Sequence, residues 1–356
     1  MPRLYPDRVA PDFEFVVVGQ GLAGTAVAWQ LRRRRRRFLV LDRADPHAAS
    51  RVAAGLITPY TGRRVARTWN LDDSFNIAAG YYRSSQAETG ATFFHHAPAL
   101  RLFADAAERE VGRGKIDPTR FDRGINPAWF AAAHGGFDLT PAARLDAPRF
   151  LDAYRTLFQE HHAYRVFDFD PAADVEPTPT GVRLPRLGLT AGCVIFCQGA
   201  AGVGNPWFPE VPYNPAKGEV LTVRVSGLGE TRPVHRGVWL APLGGELFLA
   251  GSTYDRDDLT PTPTAAGRAA IEAGLREFLK LPFEVLDHRA GVRPVLRTTK
   301  PMLGVHPRWP GLAVLTGLGS KGALYAPAYG AMLVDHLTDG RPIDVDVRLP
   351  AAPELP

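Results

Sequence analysis

The stretch "FEFVVVGQGLAGTAVAWQLRRRRRRFLVLD", Phe13 to Asp42, decides how this chain folds. Phe13 to Val18 is a continuous apolar, β-branched run, the pattern of a strand buried on both faces. Gly19, Gly21 and Gly24 follow in the spacing G-x-G-x-x-G, and Ala23, Val27 and Leu31 then recur every four residues as a helical stripe. "FLVLD" reads as a second buried strand ending in Asp42. Each glycine has a physical task. Gly19 lets the chain turn off the strand, Gly21 clears the approach of a pyrophosphate to backbone N–H groups, and Gly24 lets the helix pack closely on the sheet. The helix N-terminus, with Leu22 and Ala23 in its first turn, offers partial positive charge to the phosphates. Asp42 lies eighteen residues past Gly24, where a carboxylate accepts hydrogen bonds from a ribose. Arg43, the next residue, is where an arginine for a 2′-phosphate would stand, and the acid at 42 argues against that phosphate.

The six arginines Arg32 to Arg37 span the helix C-terminus, the turn and the entry to the second strand. Cations at a helix C-terminus complement its dipole, and this end is remote from the phosphate end. A solvated charge run is one reading; an RNA or membrane contact is the other.

Composition narrows the function classes. The formal net charge of +5 permits an acidic partner without demanding one. Only five of the 42 basic residues are lysines. No apolar run is long enough for a membrane helix, and "MPRLYPDRVAPDFE" has no signal-peptide core, so a cytoplasmic location is expected. The two cysteines, Cys193 and Cys197, stand four apart on an apolar run. On a strand they would be roughly 13 Å apart at about 3.3 Å per residue, too far for a disulfide.

Two further glycine-bearing segments come much later. "CVIFCQGAAG", Cys193 to Gly202, is a buried strand running into glycines that include Gly199. "GLAVLTGLGSKGALYAPAYGAMLVDHL", Gly311 to Leu337, is strand, glycine loop and helix. The nucleotide fold is therefore built from separated segments. No second G-x-G-x-x-G occurs.

These pieces resemble the D-amino-acid-oxidase-like FAD-dependent oxidoreductases, the group of glycine and sarcosine oxidases. The resemblance rests on the amino-terminal glycines and on "SRVAAGLITP" (50–59), "KGEVLTV" (217–223), "LFLAGSTY" (247–254), "GVRPVLRTTKPMLG" (291–304) and "GLGSKGALYAPAYG" (317–330), in that order. It implies an α/β fold: a Rossmann-like FAD-binding domain of discontinuous segments, with an inserted α+β substrate domain on an antiparallel sheet. The expected segments are 1–85, 140–215 and 286–345 for FAD and 86–139 and 216–285 for substrate, with 346–356 a tail. "TPTPTAAGRAAIEAGLREFLKL" reads as a proline-marked loop and then a helix through about Leu281.

The resemblance also implies roles. Ser50, Ala53, Ala54, Gly55 and Leu56 form the small-residue loop near the isoalloxazine. Gly319, Ser320, Lys321, Gly322 and Ala323 aim a helix N-terminus at the pyrimidine edge, where negative charge develops on reduction; Lys321 adds a point charge there or points to solvent. Arg293 binds a substrate carboxylate, or else pairs with an internal acid. Trp239 stands where many relatives place a tyrosine and is a pocket wall or core packing. Tyr254 and Tyr325 are further pocket candidates. The cysteine and histidine that bond flavin covalently in some sarcosine oxidases have no counterpart, so dissociable FAD is expected.

The implied reaction is oxidation of the C–N bond of an amine or amino acid by hydride transfer to flavin N5, with hydrolysis of the imine and O2 or another electron acceptor. Two alternatives share the scaffold. "LGSKGALYAP" also resembles the oxidase half of the bifunctional enzyme that matures 5-methylaminomethyl-2-thiouridine in tRNA, which would make tRNA the partner and the arginine run a phosphate contact. A 2-hydroxy acid is the other substrate, with His235 or His288 as base. A flavin-binding scaffold without turnover would carry the same glycines. The pairs His95-His96 and His161-His162 have no metal-ligand spacing, and Ser252 in "AGSTY" lacks a nucleophile elbow.

Overall fold

The apolar runs form central strands, as their composition requires. In the computed structural model, which describes residues 10–350, Phe13–Val18 lies between Phe38–Asp42 and Leu189–Phe196, parallel to both. Tyr164–Val166 extends the sheet beyond Phe38–Asp42, and Leu312–Thr316 pairs in parallel with the C-terminal half of Leu189–Phe196. Antiparallel strands close the other edge: Gly181–Leu184, Glu176–Thr178 and Met302–Val305. Strands from three separated stretches of chain thus make one sheet of eight. Helix Leu22–Arg33 packs on it against helix Gly322–Asp339. The two approach closely because Gly330 faces Ala26, where a Cβ would stand 3.0 Å from the Ala26 Cβ.

The second sheet has seven strands in the order Glu284–Arg293, Ala216–Arg224, Leu247–Gly251, Val238–Gly244, Val234–Arg236, Ala99–Leu102 and Gly136–Leu139. All its pairings are antiparallel except Val234–Arg236 with Ala99–Leu102. Helix Ala265–Arg276 covers it, with the Thr264 hydroxyl accepting from the Gly267 N–H. The chain is therefore a mixed α/β protein with a discontinuous Rossmann-like part and an antiparallel part.

Three boundaries differ from the sequence reading. Glu284–Arg293 belongs to the second sheet, because it pairs with Ala216–Arg224 from Ala216–Arg293 to Arg224–Glu284; the assignment of 286–293 to the first part is corrected. The expected tail at 346–356 begins too early. Val347 and Leu349 are buried, and Leu303 exchanges backbone hydrogen bonds with both; residues 351–356 lie outside the described residues. The helix expected to reach Leu281 stops at Arg276, since Lys280 donates its N–H to the Trp129 carbonyl and Leu279 bridges Phe130.

The arginine run is occupied by its own surroundings. Arg32 pairs with Glu88, Arg34 with Asp335 and Arg36 with Glu14. Arg33 lies over Trp29 and Arg37 donates to the Asp12 and Pro11 carbonyls. Arg35, in the left-handed turn at φ +54°, has no such partner among the described residues. Among the described residues no helix is long and apolar enough to cross a membrane.

Candidate active site

One cavity of about 820 Å³ runs between the two sheets, within the size range of ligand sites. Its floor is the first strand-to-helix turn. Gly19 turns at φ +100°, and a Cβ there would meet the Cys197 carbonyl oxygen at 2.6 Å. A Cβ on Gly24 would stand 1.8 Å from the Gly19 oxygen, so the helix can seat on the strand only with glycine present. Gly21, Leu22 and Ala23 line the cavity, and the Ser50 hydroxyl accepts from the Leu22 N–H at 3.2 Å.

At one end the cavity is bounded by Asp42, Arg43 and Asp45 and by Phe167–Pro171. The Asp42 carboxylate is held by the Gln20 N–H at 2.7 Å and the Ala44 N–H at 2.8 Å. Tyr164 donates to it at 3.4 Å, and burial beside this carboxylate pushes the Tyr164 phenol up to about 12. Arg43 pairs with Asp45 at 2.7 Å. The sequence reading missed "FDFDP" (167–171); its signal was its place just after the short strand that pairs with Phe38–Asp42.

The middle is lined by Ser50, Ala53, Ala54, Gly55 and Leu56 on one side and by Gly199, Gly317, Gly319, Ser320, Gly322 and Ala323 on the other. Gly55, at φ +69°, lies where a Cβ would be 1.9 Å from the Leu145 oxygen. Lys321 caps the N-terminus of helix Gly322–Asp339 but does not line the cavity. Its ammonium finds no acceptor among the described residues, and burial lowers its pKa.

The far end belongs to the second sheet: Gly218, Val220, Trp239, Ser252, Leu259, Pro261 and Arg293. Trp239 pairs directly across from Gly251, whose missing side chain leaves room for the indole. Arg293 lies against Gly218, where a Cβ would meet the guanidinium at 1.9 Å. Its Nη1 donates to the Lys217 carbonyl at 3.1 Å, and Nη2 to the Ser252 hydroxyl at 2.8 Å and the Thr253 carbonyl at 3.2 Å. No carboxylate lies within 4.0 Å of it among the described residues, so the internal-acid reading of Arg293 finds no acid. Burial lowers its pKa, yet a guanidinium stays charged at any ordinary pH.

Behind Gly218 the chain is pinned by buried charge. Lys217 is fully buried, with Nζ 2.5 Å from Asp258 and from the Thr262 carbonyl. Glu219 accepts from the Thr264 N–H and hydroxyl and lies 2.7 Å from His288 Nε2. These contacts hold loop 255–264, which carries Leu259 and Pro261 into the cavity. Gly218, Ser252, Leu259 and Pro261 were not singled out for this site from sequence.

Several candidates stand elsewhere. The Tyr254 ring lies 5.5 Å from the Arg293 guanidinium, but the residue is 56% exposed and does not line the cavity. Tyr325 is buried and donates to the Trp69 carbonyl at 2.9 Å. His235 lies outside the cavity; burial, with Arg101 and Lys321 adding to it, pulls its pKa down to about 4. His288 also lies outside the cavity, with Nε2 2.7 Å from Glu219. Among the described residues no three His, Cys, Asp or Glu side chains gather to hold a metal.

The cavity fits FAD by its own features: a bare-backbone turn against a helix N-terminus, a strand-end acid, a run of small residues and a second helix N-terminus at Gly322. Comparison with known proteins agrees. Residues 14–336 match the DAO family, described as FAD dependent oxidoreductase. The chain is 22% identical over 368 residues to glycine oxidase of Bacillus licheniformis, covering 94% of this chain and 95% of that protein. It is 26% identical over 380 residues to the tRNA 5-methylaminomethyl-2-thiouridine biosynthesis bifunctional protein MnmC of Caulobacter vibrioides, covering 98% of this chain but 57% of that protein. Among solved structures, glycine oxidase from Geobacillus kaustophilus superposes with a TM-score of 0.80 at 20% identity, over 96% of this chain and 99% of the other.

Proposed function

The chain belongs to the DAO family of FAD-dependent oxidoreductases, and on that premise we propose that it oxidises the C–N bond of a small amine bearing a carboxylate, an amino acid or its N-substituted form. When bound, FAD supplies the two-electron acceptor. Gly19, Gly21, Leu22 and Ala23 would hold its pyrophosphate on the helix that Gly24 seats, Asp42 its ribose, and Ser50, Ala53–Leu56, Gly319, Ser320, Gly322 and Ala323 its ring. Arg43, tied to Asp45, borders the ribose end. The strands shared with Leu247–Gly251 would carry the substrate.

The observation that carries the reading is Arg293: a charged guanidinium lining the second-sheet end of the cavity with no carboxylate partner. It would fix the substrate carboxylate and so present the amine-bearing carbon in one orientation. Trp239, Leu259 and Pro261 would form the apolar wall around the side chain. No side chain need abstract a proton if the amine binds neutral. The test is anaerobic loss of the flavin's visible absorbance with a panel of glycine, sarcosine, D-amino acids, L-proline and iminodiacetate. Bleaching by a carboxylate-bearing amine supports the reading; a panel that leaves the flavin oxidised removes it.

FAD would be held without a covalent bond. Cys197, the cysteine that lines the cavity, sits at the Gly19 turn, and burial pushes its thiol pKa well up. Denaturation should release all flavin into an ultrafiltrate; colour retained on the polypeptide contradicts this.

The similarity to MnmC supports a second reading, in which the amine belongs to a modified uridine. The arginine run offers it little, since five of the six side chains are already engaged internally. A gel shift with bulk tRNA at two salt concentrations separates the two.

A further inference from the structure

A second, smaller cavity of about 60 Å³ lies on the other side of segment 51–53 from the large one. Arg51 and Ala53 border both. Its remaining walls come from the strand and helix start at 144–148 and from Leu243, Leu249 and Arg289 of the second sheet. Three guanidinium groups and one carboxylate, Asp146, face this space.

The charge account is unbalanced at its deepest point. Arg144 is 9% exposed, and none of its N–H groups has an acceptor among the described residues; its Nε is fully enclosed. No carboxylate lies within 4 Å of it, whereas Arg51 has Asp152 at 2.8 Å. Arg289 has Asp287 at 3.1 Å, but the contact is not aligned as a hydrogen bond, and its Nε is also enclosed and unsatisfied. A buried guanidinium without acceptors is costly, and such groups are ordinarily paired or hydrogen-bonded. Water would satisfy its donors without neutralising its charge. The space is several times what one water requires. The N-terminus of helix Ala147–Glu160 beside it is already capped by the Asp146 carboxylate, which accepts from the Arg149 N–H, so the guanidinium groups and not the helix supply the attraction.

We infer that this cavity is a binding site for a phosphate-sized oxyanion, held by Arg144 with Arg289 and Arg51 beside it. Planar guanidinium forks match tetrahedral oxyanions, and the buried side chains Leu145 and Leu249 form the apolar wall on one side. Because Arg51 and Ala53 border both cavities, the anion stiffens the segment that lines the larger one. The ligand is free phosphate or the phosphate of a nucleotide; the chemistry is the same and the experiment distinguishes them.

The test uses FAD-loaded full-length protein, so the pyrophosphate site is filled, carrying Arg293→Met, so the proposed carboxylate site is disabled. Calorimetric titration with sodium phosphate, and separately with adenosine 5′-monophosphate, is compared with sodium chloride at equal ionic strength. One saturable phosphate site per chain is expected, with a melting temperature raised by a few degrees at 100-fold excess over Kd. Arg144→Gln should abolish the binding, and the more exposed Arg289→Gln should weaken it about tenfold. Binding of the nucleotide as well identifies a site open to larger molecules; phosphate alone identifies a closed one. Equal effects of phosphate and chloride, or full binding by both variants, overturn the inference. None of these readouts depends on turnover, so the result stands apart from the fate of the amine reading.

Discussion

Replacing Arg293 by methionine keeps the apolar stem and removes the charge, and its effect can be worked from the donor count. A guanidinium has five N–H donors. Three are committed to the Lys217 carbonyl, the Ser252 hydroxyl and the Thr253 carbonyl, which leaves two for a substrate carboxylate. Hydrogen bonds to a charged group contribute about 1.5–3 kcal/mol each, so losing two costs about 3–6 kcal/mol, a fall in kcat/KM of roughly 10²- to 10⁴-fold. The three internal bonds also hold Ser252 and Thr253, so part of any loss is structural. Paired substrates separate the parts: an amino acid and the amine that lacks its carboxylate. Steady-state kcat/KM with saturating FAD should collapse for the acid and change less than about tenfold for the amine. Arg293→Lys should fall between, because an ammonium keeps the charge but not the fixed donor directions of the guanidinium. Equal losses for both substrates, or an acid substrate that keeps its rate within about fivefold, would refute the assignment.

Gly24→Ala forces a methyl to within 1.8 Å of the Gly19 oxygen; FAD retention on gel filtration should be lost while Gly21→Ala, which meets only the Ser50 hydroxyl at 3.1 Å, weakens it less. Lys217 and the Thr260 contacts hold the Asp258 carboxyl down at about 2, below the unfolded value near ~3.9. A depressed carboxylate contributes stability that is present above the unfolded pKa and lost as pH falls through the folded one, so melting temperature should drop between pH 4 and about 2, and Asp258→Asn should flatten that part of the profile. If the amine must bind neutral, kcat/KM should rise with pH, and the inflection should move with the amine pKa of the substrate. A fixed inflection across substrates would instead reveal an enzyme base, which neither His235 nor His288, both outside the cavity, is placed to provide.

The phosphate end of the site was legible because its determinants are local. Strand, glycines, helix and Asp42 lie within thirty residues, and the tight contacts at Gly19 and Gly24 need no side chain that sequence could obscure. Arg293 was legible through its resemblance to a motif. Gly218 was not, because its role is to leave a gap for a side chain from 75 residues away, and a gap has no signature of its own. The strand Glu284–Arg293 was split at 286 because its exposed half, with Asp287 and Arg289, alternates too weakly to mark a sheet edge. Val347 and Leu349 were assigned to a tail because prolines surround them, yet two backbone hydrogen bonds to Leu303 are enough to dock the segment.

Arginine shows most clearly where sequence stops and structure begins. The chain's conspicuous arginines, Arg32–Arg37, are inconspicuous in the fold: each of five finds a carboxylate, a carbonyl or an indole nearby. Buried and half-buried arginines elsewhere follow the same rule. Arg101 pairs with Glu108, Arg232 with Glu230 and Asp138, and Arg236 donates to three carbonyls. Exposed guanidinium groups are satisfied by water. What remains is a small set without a carboxylate partner among the described residues: Arg144, nearly buried and without an acceptor, and Arg293, half-buried at the wall of the larger cavity. Since an unpaired buried cation is expensive to maintain, its persistence is accounted for most simply by an anion that comes and goes. The same reasoning that makes Arg293 a carboxylate site therefore makes Arg144 an oxyanion site, and the pair of variants tests one physical argument at two independent places.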